Sequence, residues 1–389
     1  MAAGYDFLFK NGRQVDFATG KTFLGNIYVK DGLICSPPEN EEAEAEHVFD
    51  VKENYLLPGL VDRHAHLYYG GHHIGMNADT YGPPNCITTA VDGGSVGWGN
   101  YELFYNAESR RYTTGIKGML HVSAYGIHEL PGLGECLDSI MIDEKQILKA
   151  LRQYPESLRG LKIRVDANTL GKNGIRPLKR AVEIAQKATD SGSFCIMDVH
   201  CANLPDDVGV CDVAQVLRPG DIFTHVFQNR GQTIFETNGK VRDGIKEARG
   251  RGVIFDCCTG RIHWSFENFR KALTDDFLPD IISSDIIRES AYLKPGWSII
   301  HGMNALMAVG MNEIDILKAV TYTPAKTLNI LSEAGTLLPG RPADIAVLTV
   351  ASLKTQLFDR FGGSLGTERL FLPLMTMKGG EVVFRQIFF

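Results

Sequence analysis

From about Pro58 to Leu331, short apolar runs alternate with amphipathic stretches, and this alternation restricts the fold more than any other feature of the chain. Strands separated by whole helices cannot pair as hairpins. They pair in parallel, with the helices covering the sheet. The predicted strands are Leu60–His66, Ile87–Gly93, Lys117–Ala124, Leu158–Val165, Phe194–His200, Ile222–Phe227, Gly252–Cys257 and Ile281–Ser284. Between them, Pro177 to Asp190 sets Leu178, Val182, Ala185 and Ala188 on one helical face, with proline in the first turn. Eight strand–helix units in roughly 250–280 residues match a (β/α)8 TIM barrel. The fold class is therefore α/β.

The two ends of the chain follow another pattern. Phe7-Leu8-Phe9 precedes a predicted turn at Asn11-Gly12, and Ile27-Tyr28-Val29 precedes one at Asp31-Gly32 before Leu33-Ile34. The acidic stretch Glu39 to Glu46 reads as an exposed loop. Asp344 to Leu348 reads as a strand and Met377 to Phe384 as a hairpin. Residues 1–57 and 332–389 are thus expected to form one small β-sandwich beside a barrel spanning 58–331.

Composition excludes several classes. A formal net charge of −6 without a dense Lys/Arg tract offers no field for nucleic acid. No uncharged apolar stretch is long enough to cross a bilayer, and Met-Ala-Ala-Gly-Tyr-Asp lacks the pattern of a signal peptide. Eight cysteines without framework spacing suit a reduced, cytoplasmic protein. The adjacent Cys257 and Cys258 read as buried thiols at a strand end.

Chemistry-bearing residues gather at the predicted strand ends, the face where barrel enzymes place their sites. In Asp62-Arg63-His64-Ala65-His66, residues two apart on a strand point the same way, so both imidazoles can grip one ion. Lys162 lies inside the apolar strand Gly160 to Val165, where a charged amine suffers desolvation. It is paired to a carboxylate, or reaches solvent, or captures carbon dioxide as an anionic carbamate able to bridge two metals. His200 and His225 end consecutive strands. Asp285 follows Ile281 to Ser284, where it either caps a helix or serves as metal ligand and proton acceptor.

This constellation resembles the amidohydrolase superfamily, in its binuclear, carboxylated-lysine branch. The chain is most similar to the dihydroorotase-like amidohydrolase/deacetylase subgroup in Gly59-Leu60-Val61-Asp62 before His64 and His66, Asp92-Gly93-Gly94-Ser95, Gly160 to Arg164, Arg218 to His225 and Pro279 to Asp285. The resemblance implies that His64, His66, carboxylated Lys162 and Asp285 hold the more buried ion. It implies that the same carbamate, His200 and His225 hold the more exposed one. Zinc is the first expectation, with manganese, iron or nickel also accepted by such donors. The implied function is a metal-dependent hydrolase that cleaves an acyl amide or ester through a metal-bridging hydroxide, with Asp285 as general base and acid. Opening of a cyclic amide is the alternative, heterocycle deamination is less favoured, and a non-catalytic scaffold is disfavoured because every ligand is present.

The loop Cys257 to Phe266 departs from the subgroup, whose relatives carry a glycine- and histidine-rich run before a Ser-Phe pair. Its Arg261, His263 and Trp264 point to a different substrate. Candidate substrate contacts are Ser95, Arg164, Arg230, Arg261 and His263, the arginines suiting a carboxylate. The expected partner is a small molecule, with neither nucleic acid nor membrane, and a homo-oligomer is compatible with the resemblance.

Overall fold

The computed structural model describes residues 4–37, 44–127, 135, 137, 141–292 and 297–389. Two sheets organise it. The first takes strands from both ends of the chain: β1 (Tyr5–Asp16), β2 (Lys21–Lys30), β3 (Leu33–Cys35), β4 (Ala45–Asp50) and β5 (Tyr55–Pro58). The second is parallel and holds β6 (Leu60–Ala65), β7 (Ile87–Asp92), β8 (Gly115–His121), β9 (Leu158–Val165), β10 (Ile196–Cys201), β11 (Ile222–Thr224) and β12 (Ile254–Asp256). The chain then returns to the first sheet with β13 (Ile345–Phe358), β14 (Ser364–Lys378) and β15 (Glu381–Arg385).

The first sheet runs β15-β14-β13-β5-β1-β2-β3, with β4 added beside β1. Asp31 and Gly32 both take positive φ, 51° and 75°, as a two-residue hairpin turn between β2 and β3 requires. Asn11-Gly12 behaves differently from the expected turn. Asn11 does take φ 57°, but β1 continues through it and the register against β2 merely shifts there. The dipeptide makes a bulge because pairing with β2 resumes beyond it. The expected loop Glu39 to Glu46 lies partly outside the described residues, and its last two enter β4.

The parallel sheet has the order β12-β11-β10-β9-β8-β7-β6 and curls. Seven of the expected strands are present, mostly trimmed at their C-terminal ends. The eighth, Ile281–Ser284, is a correction: the segment forms no strand, only single bridges, Ile281 to Asp256 on β12 and Ile286 to Ala65 on β6. Its ladder is interrupted because Ile282 N–H turns to the Ala319 carbonyl and Ser284 N–H to a side chain. Ser284 N–H donates to Asp62 Oδ1 at 2.9 Å instead of to a neighbouring strand. Ser283 Oγ donates to Asp256 Oδ2 at 2.7 Å, so carboxylates on both edge strands tie the segment down.

Helices cover the outer face of this sheet. In Arg176–Asp190, Leu178, Ala181, Ile184, Ala185 and Ala188 are all buried, on the spacing expected of one face. Burying a leucine or isoleucine there contributes roughly 1.5–3 kcal/mol, which outweighs the modest helix propensity of the segment. Among the described residues no helix is long and apolar enough to cross a membrane.

Candidate metal and active site

The C-terminal ends of the parallel strands converge on a cleft of about 300 Å³, lined among others by His66, Arg164, His200, Arg230, His263 and Asp285. Among the larger clefts elsewhere are two of about 840 and 660 Å³; the larger is lined by residues at the opposite strand ends, such as Phe194, Gly220 and Ile254. Among the described residues, neither holds a metal-ligating cluster.

The six expected ligands come together. Asp285 Oδ1 lies 3.3 Å from His66 Nε2 and 3.7 Å from His64 Nε2. Lys162 Nζ is 3.4 and 3.5 Å from the two ring nitrogens of His64. The His225 ring stands 5.8 Å from that of His64 and 4.4 Å from that of His200. His225 and Asp285 hold φ values of 66° and 49°, and Cys258 one of 36°. Residues just past β11, β12 and the 281–284 segment thus use the left-handed region, a strained conformation that clusters at functional sites. Here it turns the side chains inward.

Neighbours orient each imidazole. His225 Nδ1 donates to the Cys258 carbonyl at 2.7 Å, which leaves Nε2 with its lone pair facing the cluster. That Nε2 is buried without a hydrogen-bond partner among the described residues. His66 Nδ1 lies 3.0 Å from Ser95 Oγ. His64 Nδ1 sits 3.1 Å from the Arg63 guanidinium, which can only donate to it, and 3.3 Å from Asp198 Oδ2. A carboxylate or carbonyl behind the distal nitrogen is the usual support of a metal-ligating histidine.

Burial sets the protonation states. Desolvation, aided by the charge of Lys162, pushes His64 down to about 3. Desolvation likewise takes His263 down to about 4 and moves His200 and His225 well below the ordinary range. All four are neutral at pH 7, the form that binds metal. Burial would raise the Asp285 carboxyl, but the hydrogen bond from His66 and the surrounding His225 and His64 together outweigh it and keep the group ionised.

Residues expected as substrate contacts separate into two groups. Arg164, Arg230 and His263 line the cleft. Arg164 is committed to Glu135 and Asp166, both at 2.9 Å, whereas Arg230 is exposed and makes no ion pair among the described residues. Ser95 is a correction: it is fully buried and its hydroxyl is spent on His66. Arg261 is another, since its guanidinium is paired with Glu289 and lies outside the cleft lining.

Several residues escaped sequence reasoning. Arg63 is fully buried between Asp198 at 2.8 Å and Asp256 at 2.7 Å, and it also donates to Thr224 Oγ1. Burial would raise Asp198, but Arg63 and Lys162 beside it hold the carboxyl well below its usual range. Lys162 Nζ lies 3.2 Å from the same Oδ2, which is the ion-pair reading of that lysine. Cys258 offers its sulfur within 4.8 Å of ligand atoms of His64 and Asp285. A lone charge inside an apolar strand was the available signal for Asp198 and Asp256.

The donor set fits divalent cations, because neutral imidazoles and an ionised carboxylate face one another and a buried nitrogen lacks a partner. Gly93 makes the closeness feasible: a Cβ there would stand 2.5 Å from the His64 ring. Gly93→Ala is expected to displace His64 and weaken metal affinity about 10–100-fold, read by competition with a chelator.

Comparison with known proteins fits this geometry. Residues 245–365 match the Amidohydrolase family. A protein of Enterococcus faecalis named deacetylase is 26% identical over 386 residues, covering 97% of this chain and 99% of its own. A crystal structure titled as an adenine deaminase superposes with TM-score 0.87 at 25% identity, over 98% of this chain and 100% of its own. One titled as a dihydroorotase gives 0.86 at 27%, over 97% and 98%. These likenesses fit the amidohydrolase superfamily and support a hydrolytic enzyme acting on C–N bonds.

Proposed function

We propose that this chain is a metal-dependent hydrolase that removes an acyl group from a small amide or ester, deacetylase-like in its substrate class. The observation that carries the reading is the convergence of His64, His66, Lys162, His200, His225 and Asp285 on one cleft, with His225 Nε2 buried and unpartnered among the described residues. The full (β/α)8 barrel, with the 281–286 segment in the eighth position, and the second unit of residues 1–57 and 332–389 belong to the same reading.

His64, His66, Lys162 and Asp285 would hold an inner cation, and Lys162, His200 and His225 an outer one. Two such ions, zinc first among those these donors take, supply a Lewis acid for the carbonyl and bring water's pKa toward neutrality. Asp285, ionised and steadied by His66, takes the proton of the attacking water and passes it to the leaving nitrogen or oxygen. Arg230 at the cleft mouth offers its fork to a substrate carboxylate. A cleft near 300 Å³ sits at the small end of ligand sites and suits a short acyl compound.

In this reading Lys162 is a carbamate, in place of the ammonium that pairs with Asp198. Lys162→Ala is then expected to reduce metal content from two ions per chain to about one, measured by elemental analysis, with a small carboxylate in solution restoring part of the loss. Unchanged metal content would remove the carbamate.

The deciding experiment strips the full-length protein of metal, reloads it with zinc or manganese, and screens N-acyl amino acids, acyl hydroxy acids, cyclic ureides and adenine. Turnover of an acyl compound that disappears on stripping and returns on reloading is expected. The likeness to a structure titled dihydroorotase favours ring opening as a second reading. Turnover of a cyclic ureide or adenine alone would replace the acyl reading.

A further inference from the structure

The two-cation reading leaves one imidazole over. His263 lies on the loop after β12, in the stretch where the chain departs from the subgroup pattern. Its ring stacks on His225 with centroids 3.9 Å apart and 27° between planes, and stands edge-on to His200 at 5.1 Å. One ligand nitrogen from each of His200, His225 and His263 lies within 4.8 Å of the other two.

Two buried nitrogens here lack hydrogen-bond partners among the described residues: His225 Nε2 and His263 Nδ1. His225 is fully buried and His263 only 9% exposed. Unsatisfied buried groups of this kind are costly, so two kept side by side point to a shared occupant. A single substrate hydrogen bond would satisfy one of them. A cation facing the three rings draws on a lone pair from each. Nitrogens bound to one zinc at about 2.0–2.1 Å lie roughly 3.4 Å apart, so the trio needs only a modest contraction.

We propose that His263 is a third imidazole donor of the outer cation, making that position a three-histidine subsite of His200, His225 and His263. The inference rests on the two-cation reading and adds a ligand to it. Three imidazoles favour a borderline ion such as zinc, cobalt or nickel over manganese or magnesium at this position.

The test titrates the metal-free, full-length protein with zinc and, separately, manganese against a competing chelator, and records the visible spectrum after cobalt substitution. His263→Phe keeps a ring stacked on His225 but removes the donor, and His263→Ala removes both. The wild type is expected to take two zinc ions per chain. Both variants are expected to keep the first and lose affinity for the second by about a hundredfold, the upper end of what loss of ligand support produces. Their cobalt bands should change with it. Two ions bound with unchanged affinity and spectrum in both variants, with only KM altered, would make His263 a substrate contact and overturn the inference while leaving the two-cation reading intact. A wild type that takes up one ion or none would overturn the two-cation reading and this inference with it.

Discussion

Replacing Arg63 with methionine is expected to destabilise the protein by about 3–5 kcal/mol, read as a shift of the denaturant midpoint at unchanged slope. The guanidinium is fully buried, bridges Asp198 and Asp256, and supports Thr224, so its loss strands Asp256 where water cannot reach it and leaves Asp198 with Lys162 alone. Burial raises Asp256 above its usual range even with Arg63 present. Without its partner the carboxyl is expected to take up a proton. Apolar replacement of Arg63, Asp198 and Asp256 together should cost much less than the single change, because no orphaned charge remains. A triple variant as unstable as Arg63→Met would show that the network does more than balance its own charges.

Asp285→Asn is expected to lower kcat by about a thousandfold or more with little effect on folding. Proton transfer by a positioned group contributes roughly 10²–10⁴ to rate, and an amide cannot accept the proton. The substitution suits the backbone as well: φ at Asp285 is 49°, and asparagine tolerates the left-handed region better than most residues. Its oxygen can keep the contact with His66, so any loss of metal is measured separately by elemental analysis. A variant that retains both its metal and its rate would remove Asp285 from the proton pathway.

Much of this architecture was legible because local patterns carry it. Apolar runs broken by a histidine or aspartate marked the strand ends, and the helix over Arg176–Asp190 followed from spacing alone. The proposed ligand set came from the resemblance, its members lying at or beside strand ends except Lys162, which lies inside β9. What could not be read depends on distant partners. Asn11-Gly12 announces a positive φ, yet whether that makes a turn or a bulge is decided by β2 resuming its pairing. Ile281–Ser284 has the composition of a strand, but the Ala319 carbonyl and the Asp62 carboxylate, both distant in sequence, claim two of its backbone donors. Arg63 carries no local signal between Asp62 and His64, because the carboxylates that neutralise it lie far along the chain. His263 could be named as a substrate contact, but its place against His200 and His225 is set by a loop without periodicity.

The placement of β13 between β5 and β14 sets an order on synthesis. β5 ends at Pro58, while its partner β13 begins only at Ile345. At about 5–20 residues per second, a ribosome leaves that edge without its neighbour for roughly 15–60 s. Every candidate ligand from His64 to Asp285 emerges within this interval, before the sheet that receives both ends can close. A chain interrupted short of Ile345 would carry all six ligands and an open strand edge, and an open edge recruits other chains. Premature termination is therefore expected to yield aggregates, not inactive monomers.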